Sequence, residues 1–132
     1  MTVLRTARHP PEVRAALRAT CMRPLMKQCF RNSQMLLLGP HELALTYVEG
    51  WAARSDMLFW FEHGWLIWHR AGGDQILDVT LEPSSKFGPI IYGPAIEIPR
   101  HDVEESIATH RSYICIRERE LSAIRPMKEA VI

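Results

Sequence analysis

Residues 61–81, FEHGWLIWHRAGGDQILDVTL, decide how the chain is read. Trp65, Leu66, Ile67 and Trp68 make the first half rich in β-formers, as Ile76, Leu77, Val79 and Thr80 do the second. Between them, Arg70-Ala71-Gly72-Gly73-Asp74 has the composition of a turn, with glycines free to take positive φ. Two such runs around a Gly-Gly-Asp turn predict a β-hairpin. Side chains alternate faces along a strand, so His63, Trp65, Ile67 and His69 share one face, and Ile76, Asp78 and Thr80 share one face of the partner strand. An even number of loop residues makes those faces coincide and puts His63 opposite or diagonal to Asp78, within side-chain reach. A slip of one residue sends Asp78 to the other side. Set against this, a lone histidine at a strand start is commonly a surface or satisfied core residue, and an aspartate near a strand is commonly a turn or cap.

The remainder of the chain is compatible with one domain over residues 1–132. That length supports a single modest core. Apolar residues make up 47% and charged residues 23%, which is ordinary for a globular protein, and the net charge of +1 selects no partner. The charge is uneven, however. Up to Arg31 the basic residues are Arg5, Arg8, Arg14, Arg18, Arg23, Lys27 and Arg31, against Glu12 alone. Such a face can meet nucleic acid or an acidic partner, or can simply be solvated. No RNA-binding aromatic and glycine pattern accompanies it. Cys21, Cys29 and Cys115 are an odd count without a secretory signal near the start, which predicts free thiols in a reducing cytoplasm. No apolar run approaches the length of a membrane span.

Outward from the hairpin, residues 1–9 read as a flexible arm. Pro10-Pro11 leads into a helix over residues 12–20. A second helix ends at Gly39-Pro40; it starts either at Pro24 or near Gln28 and carries Phe30, Met35, Leu36, Leu37 and Leu38 on its apolar side. Residues 42–52, ELALTYVEGWA, read as a strand with Leu43, Leu45, Tyr47 and Glu49 on one side. Residues 57–61 are an apolar approach to the hairpin, and residues 82–85 form a loop. Residues 87–98, FGPIIYGPAIEI, are too punctuated for a central strand and fit an edge segment. Residues 99–110 read as a short helix with acidic residues at its positive end. Residues 113–124 are open between strand and helix. Helices followed by mostly antiparallel strands predict an α+β fold, with N-terminal helices packed on a small sheet.

Residues 27–98 resemble the transglutaminase-like branch of the papain-like cysteine enzymes, and more closely a group of small bacterial and phage proteins. The shared order is a helix with Cys-x-x-Asn (Cys29, Asn32), a Tyr-x-Glu-Gly strand (Tyr47, Glu49, Gly50), Glu-His-x-Trp (Glu62, His63, Trp65), Asp-x-Thr (Asp78, Thr80) and a later Tyr-Gly (Tyr92, Gly93). Gly64 stands where that group usually has alanine, and Val79 where it has proline. The resemblance implies a transglutaminase-like core with a Cys29-His63-Asp78 triad. It also implies thiol-dependent acyl transfer or amide hydrolysis on a protein or peptide substrate, as a peptidase, deamidase or acyltransferase.

In that chemistry a thiolate attacks, favoured by a helix N-terminus and a neighbouring imidazolium. His63 is the base, and Asp78 holds its tautomer. The oxyanion needs donors, for which the Cys29 N–H and Gln28 are candidates. Glu49 and Asn32 are candidates for orienting the site, and Trp65 and Tyr92 for walling a substrate cleft. His69, on the face of His63, can be grouped with Cys29 and Asp78 as a metal set, but no compact ligand pair supports it; no metal or cofactor is expected. Two alternatives stand beside the enzyme: an inactive binding or effector protein on the same fold, for instance a phage-encoded one acting on a host partner, and a nucleic-acid accessory protein working through the N-terminal arginines.

Overall fold

The computed structural model describes residues 9–55, 59–81 and 89–126; all but the last residue of the arm expected over residues 1–9, the first two residues of the approach at 57–61 and the loop at 82–85 lie outside them. Proline at the first helical position, Glu12 in the first turn and Arg18 in the last set helix α1 at Pro11–Ala19. It ends where Cys21 adopts a left-handed conformation, φ 54°. Helix α2 runs over Cys29–Leu38, so of the two expected starts the chain takes the later. The reason is local. Lys27 is left-handed, at φ 63°, and helical geometry cannot pass through it from Pro24. The helix also buries a different set of residues from the apolar stripe expected. Asn32, Ser33 and Gln34 are fully buried beside Leu36 and Leu37, whereas Phe30, Met35 and Leu38 are half-buried.

Four strands form one antiparallel sheet: β1, Leu45–Arg54; β2, Phe61–Trp68; β3, Gln75–Leu77; and β4, Ile90–Ile98, in the order β3-β2-β1-β4. The predicted hairpin is β2-β3. Trp68 faces Gln75, leaving an even loop of residues 69–74. Strand β3 stops earlier than expected because the Asp78 side chain captures the backbone N–H groups of Thr80 and Leu81, which turns the chain out of the ladder. β4 takes the edge position that its glycine and prolines suggested, and its register against β1 shifts between Gly50 and Ala52. Helix α3, Arg100–His110, follows Pro99; the segment left open between strand and helix becomes an irregular stretch and then the short helix α4, Glu118–Ala123. The fold is therefore α+β, with four helices and a four-stranded antiparallel sheet among the described residues.

Alternation divides the core. On the helix side Tyr47, Leu66, Trp68, Leu77 and Ile98 pack with Val13, Leu36 and Val103. On the other side Val48, Trp65 and Ile76 gather with Tyr92. Strands β1 and β4 approach so closely at Gly50 that a methyl there would lie 2.6 Å from Ala95 Cβ, 2.7 Å from the Pro94 carbonyl and 2.7 Å from the Trp65 ring. Gly50→Ala is expected to lower the free energy of unfolding by about 1–3 kcal/mol through overpacking, read as a lower urea midpoint with an unchanged slope.

Candidate functional site

The site begins with the register of β2 and β3. Leu66 pairs with Leu77, so His63 and Asp78 emerge on one face in a diagonal relation. His63 Nε2 lies 2.6 Å from Asp78 Oδ2, with side-chain exposures of 3% and 0%. A buried carboxylate must be saturated with donors. Asp78 Oδ1 accepts the N–H groups of Thr80 and Leu81, each at 3.0 Å, and Oδ2 accepts the Tyr92 hydroxyl at 2.8 Å in addition to His63. Aromatic rings fix the imidazole: Trp65 stacks 5.8 Å away at 27°, and Phe61 meets it edge-on at 5.8 Å.

Cys29, the first residue of α2, lies close enough to His63 for its thiol to help raise the imidazole. Nε2 belongs to Asp78, so Nδ1 is the nitrogen left to the thiol. The helix is seated by the Ser33 hydroxyl, which donates to the Gly64 carbonyl at 3.1 Å, and by Phe30 passing over Gly64. A methyl on Gly64 would stand 2.9 Å from the Phe30 ring and 3.1 Å from the Tyr47 hydroxyl. Glycine at this position therefore leaves room for Phe30.

The electrostatics follow from burial and pairing. Burial pulls the His63 imidazole toward its neutral form, but the charge and hydrogen bond of Asp78, with Cys29 adding to them, raise it to about 10. Burial pushes Asp78 upward, and His63, the Leu81 N–H and Tyr92 outweigh it and hold the carboxyl below its usual value. Tyr92 is raised by burial and by Asp78, so it remains a donor.

Other expected residues fall elsewhere. Glu49 pairs with Gly64, which puts it on the face opposite His63. There it accepts the Tyr47 hydroxyl at 2.6 Å and the N–H groups of Ile116 and Arg117 at 2.8 and 2.7 Å; the Cys115 thiol lies 3.5 Å away. It anchors a distant segment and does not touch the triad. Trp65 is 3% exposed and lies beneath His63, so it walls no open cleft. Tyr92 is half-buried and is a partner of Asp78, a role that sequence reasoning missed; its ring meets Trp65 with centroids 4.9 Å apart. Gln28 is exposed at the N-cap and makes no side-chain capping bond. Asn32 is buried and binds Leu25 and Thr80. His69 bonds Thr46 and Asp74 at the exposed hairpin end; among the described residues no group of three His, Cys, Asp or Glu is placed to hold a metal ion. Among the N-terminal basic residues, Arg14 turns back onto the His9 carbonyl. No described helix is long and apolar enough to cross a membrane.

Two grooves, of about 410 and 360 Å³, lie beside α3 and along β1 and β4. Neither is lined by Cys29, His63 or Asp78. No protein-family model matches the chain, and no curated protein or solved structure shows detectable similarity to it.

His63 has a folded value above its unfolded one. The stability it contributes is therefore complete below about pH 6.5 and lost as pH rises through about 10. By NMR, wild-type His63 is expected to titrate near 10; in Asp78→Asn it should titrate below 6.5, burial now being unopposed by the carboxylate, and the alkaline loss of stability should shrink.

Proposed function

We propose that the chain is a small thiol enzyme with a transglutaminase-like, papain-like core, carrying out acyl transfer or amide hydrolysis on a protein or peptide in the cytoplasm. The observation that carries this reading is a cysteine at the head of a helix beside a buried imidazole, which is held through Nε2 by a four-bonded aspartate. Those are the parts of nucleophilic catalysis: nucleophile, base and orienter in series.

The steps balance without a further reactant. Cys29 sulfur adds to the substrate carbonyl as thiolate, with its proton on His63. The tetrahedral oxyanion is met by the Cys29 backbone N–H, one of the amides that the first turn of a helix leaves without an internal partner. The exposed Gln28 side chain supplies the second donor. As the intermediate collapses the C–N bond breaks, His63 gives its proton to the departing amine, and a thioester remains. Water or an acceptor amine then attacks, passing a proton to His63, and thiolate leaves with the protonated imidazole restored. Asp78 keeps the imidazole ring aligned and its positive charge stabilised throughout.

The second reading is a binding or effector protein on the same core, with the triad unused. Its support is the burial of His63 and Asp78 together with grooves that lie elsewhere.

Alkylation with iodoacetamide across pH, followed thiol by thiol in one tube by mass spectrometry, separates the two. Exposed Cys21 is an internal standard. Cys115, whose thiol is raised by burial and by Glu49, is a slow control. Under the enzyme reading Cys29 reacts at pH 6 at least about tenfold faster than Cys21, and His63→Gln removes the advantage. Equal rates at Cys29 and Cys21 in the wild-type protein would refute the enzyme and leave the binding reading.

A further inference from the structure

The Cys-x-x-Asn and Asp-x-Thr pairs of the sequence meet in space at residues that the proposed reaction does not use. Asn32 lies one helical turn beyond Cys29, and Thr80 lies two residues beyond Asp78. Asn32 Nδ2 donates to Thr80 Oγ1 at 2.9 Å. The same amide nitrogen donates to the Leu25 carbonyl at 2.8 Å, while Oδ1 accepts the Leu25 N–H at 3.1 Å and Arg31 Nη1 at 3.0 Å. A side-chain amide has two donors and, on its oxygen, two acceptor positions. In fully buried Asn32 all four are used.

We infer that the Asn32–Thr80 hydrogen bond is a strut setting the distance between the nucleophile and its base, which makes Asn32 and Thr80 positioning residues. The inference rests on the thiol-enzyme reading. Cys29 and Asp78 belong to different elements, α2 and the turn after β3. Their only shared catalytic partner is His63. Asp78 is fixed to Thr80 through the Asp78 Oδ1 bond to the Thr80 N–H. Thr80 is fixed to Asn32, and Asn32 to Cys29 through one turn of helix. The contacts thus link Cys29, Asn32, Thr80, Asp78 and His63 in series. Without the Asn32–Thr80 bond α2 keeps its Ser33 and Gln34 anchors, but its first turn, which carries Cys29, loses its tie to the turn that holds Asp78. A misplacement of about 1 Å is enough to cost on the order of a hundredfold in rate. The Leu25 bonds extend the same control to the segment entering α2, holding the chain that leads through left-handed Lys27 to Cys29.

The donor must come from residue 32. An aspartate there has no N–H for Thr80 or for the Leu25 carbonyl. On the other side a hydroxyl is required, and Thr80→Val replaces it with a methyl of similar size. Thr80→Ala deletes the same acceptor without adding bulk, and Thr80→Ser retains it.

The test is the pH profile of Cys29 alkylation by iodoacetamide relative to Cys21, with near-UV circular dichroism of the tryptophans as the check on fold. Thr80→Val and Thr80→Ala are expected to slow Cys29 at pH 6 by about tenfold and move its profile to higher pH, with a native spectrum; Thr80→Ser should stay within about twofold of wild type. A wild-type advantage that survives both deletions overturns the strut and leaves the enzyme standing. Loss of the native spectrum in both deletions makes the bond a folding contact and overturns it as well. A wild-type Cys29 no faster than Cys21 overturns the enzyme reading and this one together.

Discussion

The His63–Asp78 pair is the constraint to which the surrounding structure answers. Both side chains are removed from water, and a buried charge pair is tolerable only when every remaining acceptor is satisfied. Asp78 meets that demand from four directions, two of them its own following backbone. This is why the strand must end at Leu77 and turn. The third donor, Tyr92, belongs to β4 on the opposite edge of the sheet, so the punctuated final strand is drawn into the same requirement. The rings of Phe61 and Trp65 then leave the imidazole little rotational freedom.

A second polar layer lies on the helix side. Asn32, Ser33 and Gln34 are consecutive and all buried. Each speaks to a different element: Asn32 to the turn after β3, Ser33 to β2 through the Gly64 carbonyl, and Gln34 to Tyr47 on β1 and to the Ile114 carbonyl. Helix α2 is thus located against the sheet by directional bonds more than by an apolar stripe. Directional bonds specify position more narrowly than hydrophobic contact does, and the residue at the head of this helix is Cys29.

Much of this was legible in the residues. The hairpin followed from two β-rich runs around a Gly-Gly-Asp turn, the meeting of His63 with Asp78 followed on condition of an even loop, which the structure supplies, and the edge position of β4 followed from the glycines and prolines of residues 87–98. The limits had physical causes. The start of α2 depended on the left-handed backbone of Lys27, a conformation no side-chain pattern announces. Thr80 read as a strand residue because a threonine is a β-former, while the Asx turn that removes it from the strand is a property of Asp78. Glu49 shares a motif with the site residues yet faces away from them, since one position along a strand reverses the face. Trp65 read as a cleft wall because a tryptophan serves cleft and core alike, and burial is what separates them.

The Glu49 clamp has a consequence for biosynthesis. Its backbone donors, Ile116 and Arg117, lie 67 and 68 residues downstream in the chain. When β1 and β2 first emerge from the ribosome, this carboxylate lacks both amides that neutralise it, and a buried anion left short of donors opposes collapse of the sheet around it. Closing so long a loop is also the slow part of forming a non-local contact. The bonds that satisfy Glu49 in the sheet therefore cannot all form until residues 116 and 117 have been made.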